Sequence, residues 1–275
     1  METKNFKVVG ASAGGVGTCL VAHPYKVALD IGFVTAEALA CQTVLVSHTH
    51  IDHMGAAVQH AASRTLTGQS PSRFVCGPET AKALVSVLEL WKTIQGGFEY
   101  TVVALEPGQE LDLGKGLSVK TFPTFHRVSS TGFLLFETRR KLKPEFVGRP
   151  GVELGALRKQ GVTLEDTVKT PVLAFTGDTT AEALDNPEVR EALVLVAECS
   201  FVGDEVTVEK AREHGHTHLK ELEPRLQGLK GTVVLFHFSL RHGREELEEA
   251  LAGAKEALGD RLHLVLEGAG PVSAW

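Results

Sequence analysis

A mixed α/β domain with a polar site gathered at one sheet edge is what this sequence predicts, and three observations carry the expectation. Short apolar runs alternate with helical patterns along the chain, which fits α/β or α+β. Apolar residues make up 43% and charged residues 23% of 275 positions, enough for a full hydrophobic core without covalent staples. Five apolar runs each lead directly into a His or a carboxylate. Residues 44–46 lead into His48, 119–125 into His126, 172–175 into Asp178, 193–197 into Glu198 and 233–236 into His237. Carboxyl ends of strands meet at one edge of an α/β sheet, where such folds place their sites.

The elements follow from period and punctuation. Residues 7–9, 18–21 and 27–29 read as an opening meander, and 43–46 as a buried strand. Residues 78–92 predict a helix with Leu84, Leu88 and Trp91 on one face. Later strands are expected at 117–122, 131–136, 172–175, 193–197 and 232–236. A last helix, about 243–258, places Leu247, Leu251, Ala254 and Leu258 on one side and solvates its Glu run. The glycine-rich stretch Gly10-Ala-Ser-Ala-Gly14-Gly-Val-Gly17 precedes a strand rather than a helix, so it reads as a tight turn and not a nucleotide loop. Residues 139–170, rich in Lys, Arg, Gly and Pro, show no sustained period and read as an irregular connection or a projecting element.

A net charge of −6 argues against broad adhesion to nucleic acid and leaves room for a local basic patch. Residues 139–169 supply one: eight positive side chains, including Arg139, Arg140, Lys141 and Lys143, against four negative. No apolar run reaches a membrane span, and Met1-Glu-Thr-Lys-Asn-Phe6 lacks the apolar core of a signal peptide. Cys19, Cys41, Cys76 and Cys199 are isolated, which predicts reduced, buried thiols in a cytoplasmic protein.

His48, His50, Asp52 and His53 fall within six residues after an apolar strand. Imidazole and carboxylate suit zinc and related divalent ions. The adjacent Asp52 and His53 cannot easily face the ion that His48 and His50 face, so two metals are expected. His126, Asp178 and His237 have the residue type and strand-end placement of the remaining ligands. His216, paired with Glu198, has the makings of a proton donor. For His214 and His218, solvated loop positions are the simpler account, and His23, His60, His242 and His263 are read as structural.

Taken together the motifs resemble the short-form tRNase Z (ribonuclease Z) branch of the metallo-β-lactamase superfamily, over nearly the whole chain. The likeness is carried by Ser47-His-Thr-His-Ile-Asp-His-Met-Gly55, Thr124-Phe-His126 with Ser130-Thr-Gly132, Phe175-Thr-Gly-Asp-Thr-Thr180, Glu198-Cys-Ser-Phe201, Gly215-His-Thr-His218 and His237-Phe-Ser-Leu-Arg241. Lys141-Leu-Lys-Pro-Glu-Phe-Val-Gly148 and Gly161-Val-Thr-Leu164 are similar to the plant-type short enzymes. An aspartate at 178, where β-lactamases have cysteine, points to the phosphodiesterase branch.

The resemblance implies one domain over 1–275, an αβ/βα four-layer sandwich with halves at about 1–130 and 170–275 and a reduced arm between them. It implies two zinc ions, with manganese as an alternative. One is held by His48, His50 and His126, the other by Asp52, His53 and His237, and Asp178 bridges. Asp52 would orient the attacking water, and His216 with Glu198 would form a catalytic pair. The reaction implied is removal of the 3′ trailer from precursor tRNA, leaving a 3′-hydroxyl, by a homodimer. RNA contacts are expected from Arg64, Ser130, Thr131 and Arg241 and from Arg139, Arg140, Lys141 and Lys143. Three departures stand out. Gly148-Arg-Pro-Gly151 replaces the longer Gly-Pro-rich arm of bacterial members, Ala62-Ser-Arg64-Thr-Leu-Thr-Gly68 matches the family's RNA-contacting loop only at Arg64, and His242 stands where Tyr is usual. The alternative reading is a small-substrate phosphodiesterase with the same site.

Overall fold

The structure, a computed structural model, describes residues 6–266. Residues 1–5, which bear on the expectation of no signal peptide, lie outside the described residues, as do 267–275. The first sheet has six strands in chain order: β1 (Lys7–Ala13), β2 (Gly17–His23), β3 (Val27–Leu29), β4 (Thr43–Val46), β5 (Ser72–Cys76) and β6 (Tyr100–Ala104). The second has seven: β7 (Glu110–Gly114), β8 (Leu117–Pro123), β9 (Thr131–Leu142), β10 (Glu165–Phe175), β11 (Val194–Glu198), β12 (Thr232–Phe236) and β13 (Leu262–Leu264). Helices α1 (Ala36–Leu39), α2 (Ile51–Met54), α3 (Ala57–Leu66) and α4 (Pro78–Gln95) accompany the first sheet. Helix α5 (Gly151–Lys159) lies in the connection from β9 to β10. Helices α6 (Pro187–Arg190), α7 (Val208–Glu213), α8 (Leu219–Leu226), α9 (Arg244–Ala250) and α10 (Ala252–Leu258) accompany the second sheet.

Side-chain alternation builds three cores and hence four layers. In β4, Leu45 joins the core between the sheets while Val44 and Val46 join the core under α1, α3 and α4. In β11, Val194 and Val196 face the first sheet, and Leu195 and Ala197 face the helices of the second. Strands β9 and β12 divide their residues the same way. A strand buried on both faces must be apolar throughout, which is why these segments read as continuous runs instead of alternating ones. Phe175 and Phe236 meet in the central core with ring centroids 5.4 Å apart.

Strands β10, β11 and β12 are parallel to one another, and β8 runs with them because β9 opposes both β8 and β10. Their carboxyl ends therefore open on one edge, and β4 delivers its own end to the same seam. The sheets divide the chain between Ala104 and Glu110, earlier than the expected boundary near 130, because β7 to β9 pair with the C-terminal strands.

The structure corrects three expectations and decides between the two readings of a fourth. Of an irregular connection and a projecting element at residues 139–170, the second holds. Strands β9 and β10 pair from Phe133↔Phe175 out to Leu142↔Glu165, and beyond Glu137 β8 no longer accompanies them, so a two-stranded ribbon projects, with α5 in its connection. The expected helix of 243–258 is two helices meeting at Leu251, although all four expected apolar residues are buried. Trp91 is 42% exposed, beside an open groove with Leu66, while Leu84 and Leu88 are fully buried. His218 is not solvated: it is buried, its Nε2 lies 3.0 Å from the Gly203 and Val206 carbonyls, and its Nδ1 accepts from Lys220 N at the start of α8. All four cysteines are free and buried, and no described helix is long and apolar enough to cross a membrane.

Candidate metal centre

The centre is assembled from a loop after β4, a short helix and three strand ends. His48 follows β4, His50 sits at the N-cap of α2, and Asp52 and His53 lie in its first turn. His126 lies after β8, Asp178 after β10 and His237 immediately after β12. Gly177 turns the chain into Asp178 at φ +59°, and a Cβ there would stand 2.4 Å from the Ser47 Cβ, so only glycine fits.

Two groups of donors result. His48 Nε2 and His126 Nε2 lie 3.0 and 3.1 Å from His50 Nδ1. His53 Nε2 lies 3.1 Å from His237 Nε2, and Asp52 Oδ2 lies 3.4–3.6 Å from both. Asp178 Oδ2 stands between the groups, 3.3 Å from His53 and His237 Nε2 and 3.8 Å from His48 Nε2. Its Oδ1 is buried with no hydrogen-bond partner.

The far side of each ring explains why these atoms face each other. Asp30 is fully buried and accepts from Ser47 N at 2.7 Å and Ser47 Oγ at 2.8 Å. With its hydrogen given to Asp30, Ser47 Oγ must accept from His48 Nδ1 at 2.9 Å, which leaves a lone pair on His48 Nε2. His53 Nδ1 donates to Asp30 at 2.7 Å. In the other half Ser200 Oγ donates to Glu198 and accepts from His237 Nδ1 at 3.0 Å, leaving a lone pair on His237 Nε2. His126 Nδ1 donates to the Gly215 carbonyl at 2.7 Å, so its Nε2 too presents a lone pair.

Lone pairs and carboxylates thus converge at separations that repel unless a cation lies among them. A tetrahedral zinc about 2.0–2.1 Å from each nitrogen sets neighbouring ligands about 3.3 Å apart, close to the spacings seen. The residues fit two such ions, and Asp178 Oδ1 is a buried acceptor of the kind a metal would satisfy. Burial holds His48 neutral, driving its pKa to about 2, and burial also lowers His50 and His126. Burial opposes charge on His53 as well, but Asp178 and Asp30 on either side outweigh it and raise its pKa well above the usual imidazole range. Positive charge is wanted in this pocket, whether as a proton or as a metal.

His216 borders the same pocket: it clusters with Asp178 and His237, its Nδ1 lies 3.8 Å from Asp178 Oδ2, and its ring stacks on His237 with centroids 5.4 Å apart. Its Nδ1 lies 3.0 Å from Glu198 Oε1, which also accepts from Thr217 N. Burial lowers its proton affinity, yet Glu198 outweighs burial and the pKa is raised. Asp52 is steadied by Gly15 N, which donates to Oδ2 at 2.9 Å. The glycine turn between β1 and β2 therefore does more than reverse the chain.

The expected RNA contacts fare differently. Arg64 is turned inward, 3% exposed, and its guanidinium donates to the carbonyls of Leu39 and Ser70 and to Gln69. Thr131 is buried and donates its N–H to Ser47 O, which ties β9 to the ligand loop. Ser130 Oγ pairs with Thr124 Oγ1, and Arg241 is exposed. On the ribbon, Arg139 pairs with Glu137 and Lys143 lies 3.9 Å from Asp166, while Arg140 and Lys141 make no ion pair among the described residues. Asp30, Ser47, Ser200 and Gly15 were not singled out as site residues. For Asp30 the signal was present: it directly follows the apolar run 27–29.

A family profile described as Beta-lactamase superfamily domain matches residues 34–238. A tRNase Z of Arabidopsis thaliana is 32% identical over 98% of this chain and 98% of its own. A second, chloroplastic tRNase Z of that plant is 29% identical over 98% of this chain and 77% of its own. Among solved structures, the short form of human tRNase Z superposes with TM-score 0.59 at 18% identity, covering 94% of this chain and 95% of that one. The metallo-β-lactamase fold protein YhfI of Bacillus subtilis superposes with TM-score 0.64 at 15% identity over 98% of both.

Replacing Asp30 with Ala should weaken metal affinity by roughly 10–100-fold although Asp30 faces no ion, because His53 and the Ser47–His48 pair lose the carboxylate that orients them. Competition with a chelator measures this. Unchanged affinity in a folded Asp30→Ala protein would show that the rings are oriented by packing alone.

Proposed function

The chain belongs to the tRNase Z family of the β-lactamase superfamily, and on that premise we propose that it is a zinc-dependent endoribonuclease that removes the 3′ trailer from precursor tRNA and leaves a 3′-hydroxyl. The observation that carries the reading is the pairing of His216 with Glu198 beside two convergent ligand groups. His48, His50 and His126 would hold one zinc, Asp52, His53 and His237 the other, with Asp178 between them. When bound, the metals lower the pKa of water and stabilise charge on phosphoryl oxygens.

The chain's own residues do the rest. Asp52, fixed by Gly15 N, accepts a hydrogen bond from the attacking water and aims it. Glu198 holds His216 by Nδ1, so Nε2 is the atom left to protonate the departing 3′ oxygen. Arg140 and Lys141 on the ribbon offer unpaired charge to the phosphates of a structured RNA on a net-acidic protein. The active unit is a homodimer, and the free, buried cysteines fit a cytoplasmic setting.

Purified protein incubated with end-labelled precursor tRNA should cut once, after the discriminator base, with metal content near two equivalents. Asp178→Ala should lose metal from both sites together. Hydrolysis of bis(p-nitrophenyl) phosphate with no cut in tRNA would favour the small-substrate phosphodiesterase instead. Light scattering at assay concentration should give twice the 29.5 kDa chain mass.

His216→Ala should cut turnover by about 10²–10⁴-fold while keeping its metal. Because Glu198 acts through the same proton transfer, the double Ala variant should be no slower than His216→Ala. Additive losses would separate the two residues.

Replacing Arg140 and Lys141 with Ala should raise KM for precursor tRNA and flatten its salt dependence, since each neutralised phosphate releases counterions. Kinetics across a salt series read this out. An unaltered slope would remove the ribbon from RNA binding.

A further inference from the structure

Next to the metal centre lies a groove of about 570 Å³ whose walls come from residues 124–130, Thr180, Arg212, Glu213 and Gly215. Thirteen phenylalanines occur in the sequence, and all lie within the described residues. Phe125 alone is exposed, at 54%, and it lines this groove one residue before the ligand His126. It does not sit on a loose loop. Its N–H donates to Thr179 Oγ1 at 2.9 Å, and its carbonyl accepts from Thr180 N at 3.0 Å. Thr124 Oγ1 and Ser130 Oγ close the loop at 2.7 Å. On the other side of His126, Arg127 is exposed and makes no ion pair among the described residues.

A solvent-facing aromatic ring on a hydrogen-bonded backbone, two residues from a guanidinium with no ion pair among the described residues, is the combination that binds single-stranded nucleic acid: a face for a base and a charge for the backbone. We propose that this groove is the subsite for the nucleotide on the 5′ side of the cut, with Phe125 stacking on its base and Arg127 holding the neighbouring phosphate. The side follows from Gly215, which lines the groove directly before His216. If His216 protonates the leaving 3′ oxygen, the nucleotide that owns that oxygen occupies this side. The inference rests on the proposed function.

The test removes the base and the ring separately. Precursor tRNA is prepared with an abasic ribonucleotide immediately 5′ or immediately 3′ of the cut, and kcat/KM is compared for wild type, Phe125→Leu and Phe125→Trp. Loss of the 5′ base should cost wild type about 5–150-fold, the range expected for one base on one aromatic face. It should cost Phe125→Leu almost nothing further, and Phe125→Trp should restore the dependence. Arg127→Gln should reduce the salt slope by about one. Equal losses in wild type and Phe125→Leu, or coupling at the 3′ base instead, would overturn the Phe125 assignment, and an unchanged slope would overturn that of Arg127. The two readings fail separately. Wild type that leaves the parent RNA uncut strikes the proposed function, whereas a normal cut without coupling strikes only this one.

Discussion

The centre of this molecule is a pocket that repels itself. Five imidazoles and two carboxylates converge with their nitrogens and oxygens 3.0–3.6 Å apart, an arrangement that calls for positive charge among them. What makes the convergence possible is a pair of similar supports, one in each half. Asp30 takes Ser47 N and Oγ, and Ser47 in turn steadies His48. Glu198 takes Ser200 N and Oγ, and Ser200 in turn steadies His237. Each buried carboxylate also takes a second imidazole, His53 in one half and His216 in the other. The supports match, yet the rings they hold differ in company: His53 clusters with Asp52 and His237, and the more exposed His216 with Asp178 and His237.

Both ligand groups draw on both sheets. His48 and His50 come from the loop after β4, while their partner His126 follows β8. Asp52 and His53 ride on α2, while their partner His237 follows β12. An ion at either point therefore joins the two halves, and binding free energy becomes folding free energy across the seam. Direct backbone ties cross the same seam, from Thr131 N to Ser47 O and from Gly14 N to Phe238 O. The two clusters that could hold metal sit where the halves are already stitched.

Much of this was legible because buried parallel strands advertise themselves. A run such as 233–236 is apolar on both faces, so the first polar residue after it must sit at the sheet edge, and His237 does. The same rule would have found Asp30 after 27–29, had that short run been given equal weight. Arg64 misled because motif position carries no direction: its stem starts on α3 and its guanidinium turns in to carbonyls that needed donors. The ribbon was hidden for a different reason. Residues 139–142 and 165–168 pair in the ladder only with each other, across more than twenty intervening residues, so neither needs an apolar face and neither shows a period. His218 was missed because a helix cap with its ring in carbonyls looks, as sequence, like any loop histidine.

The ribbon has a mechanical consequence. Strand β9 runs without a break from Thr131, hydrogen-bonded to the ligand loop, to Arg140 and Lys141 at the far end. Nine residues of extended chain span roughly 30 Å. The ligand loop and these two side chains are thus joined by one continuous strand. Successive side chains alternate faces, so adding one residue to each strand would swing every charge at the tip to the opposite side. Adding two restores the facing and moves the tip by about 7 Å. The reach of this protein is therefore set in discrete steps, like the notches of a gauge.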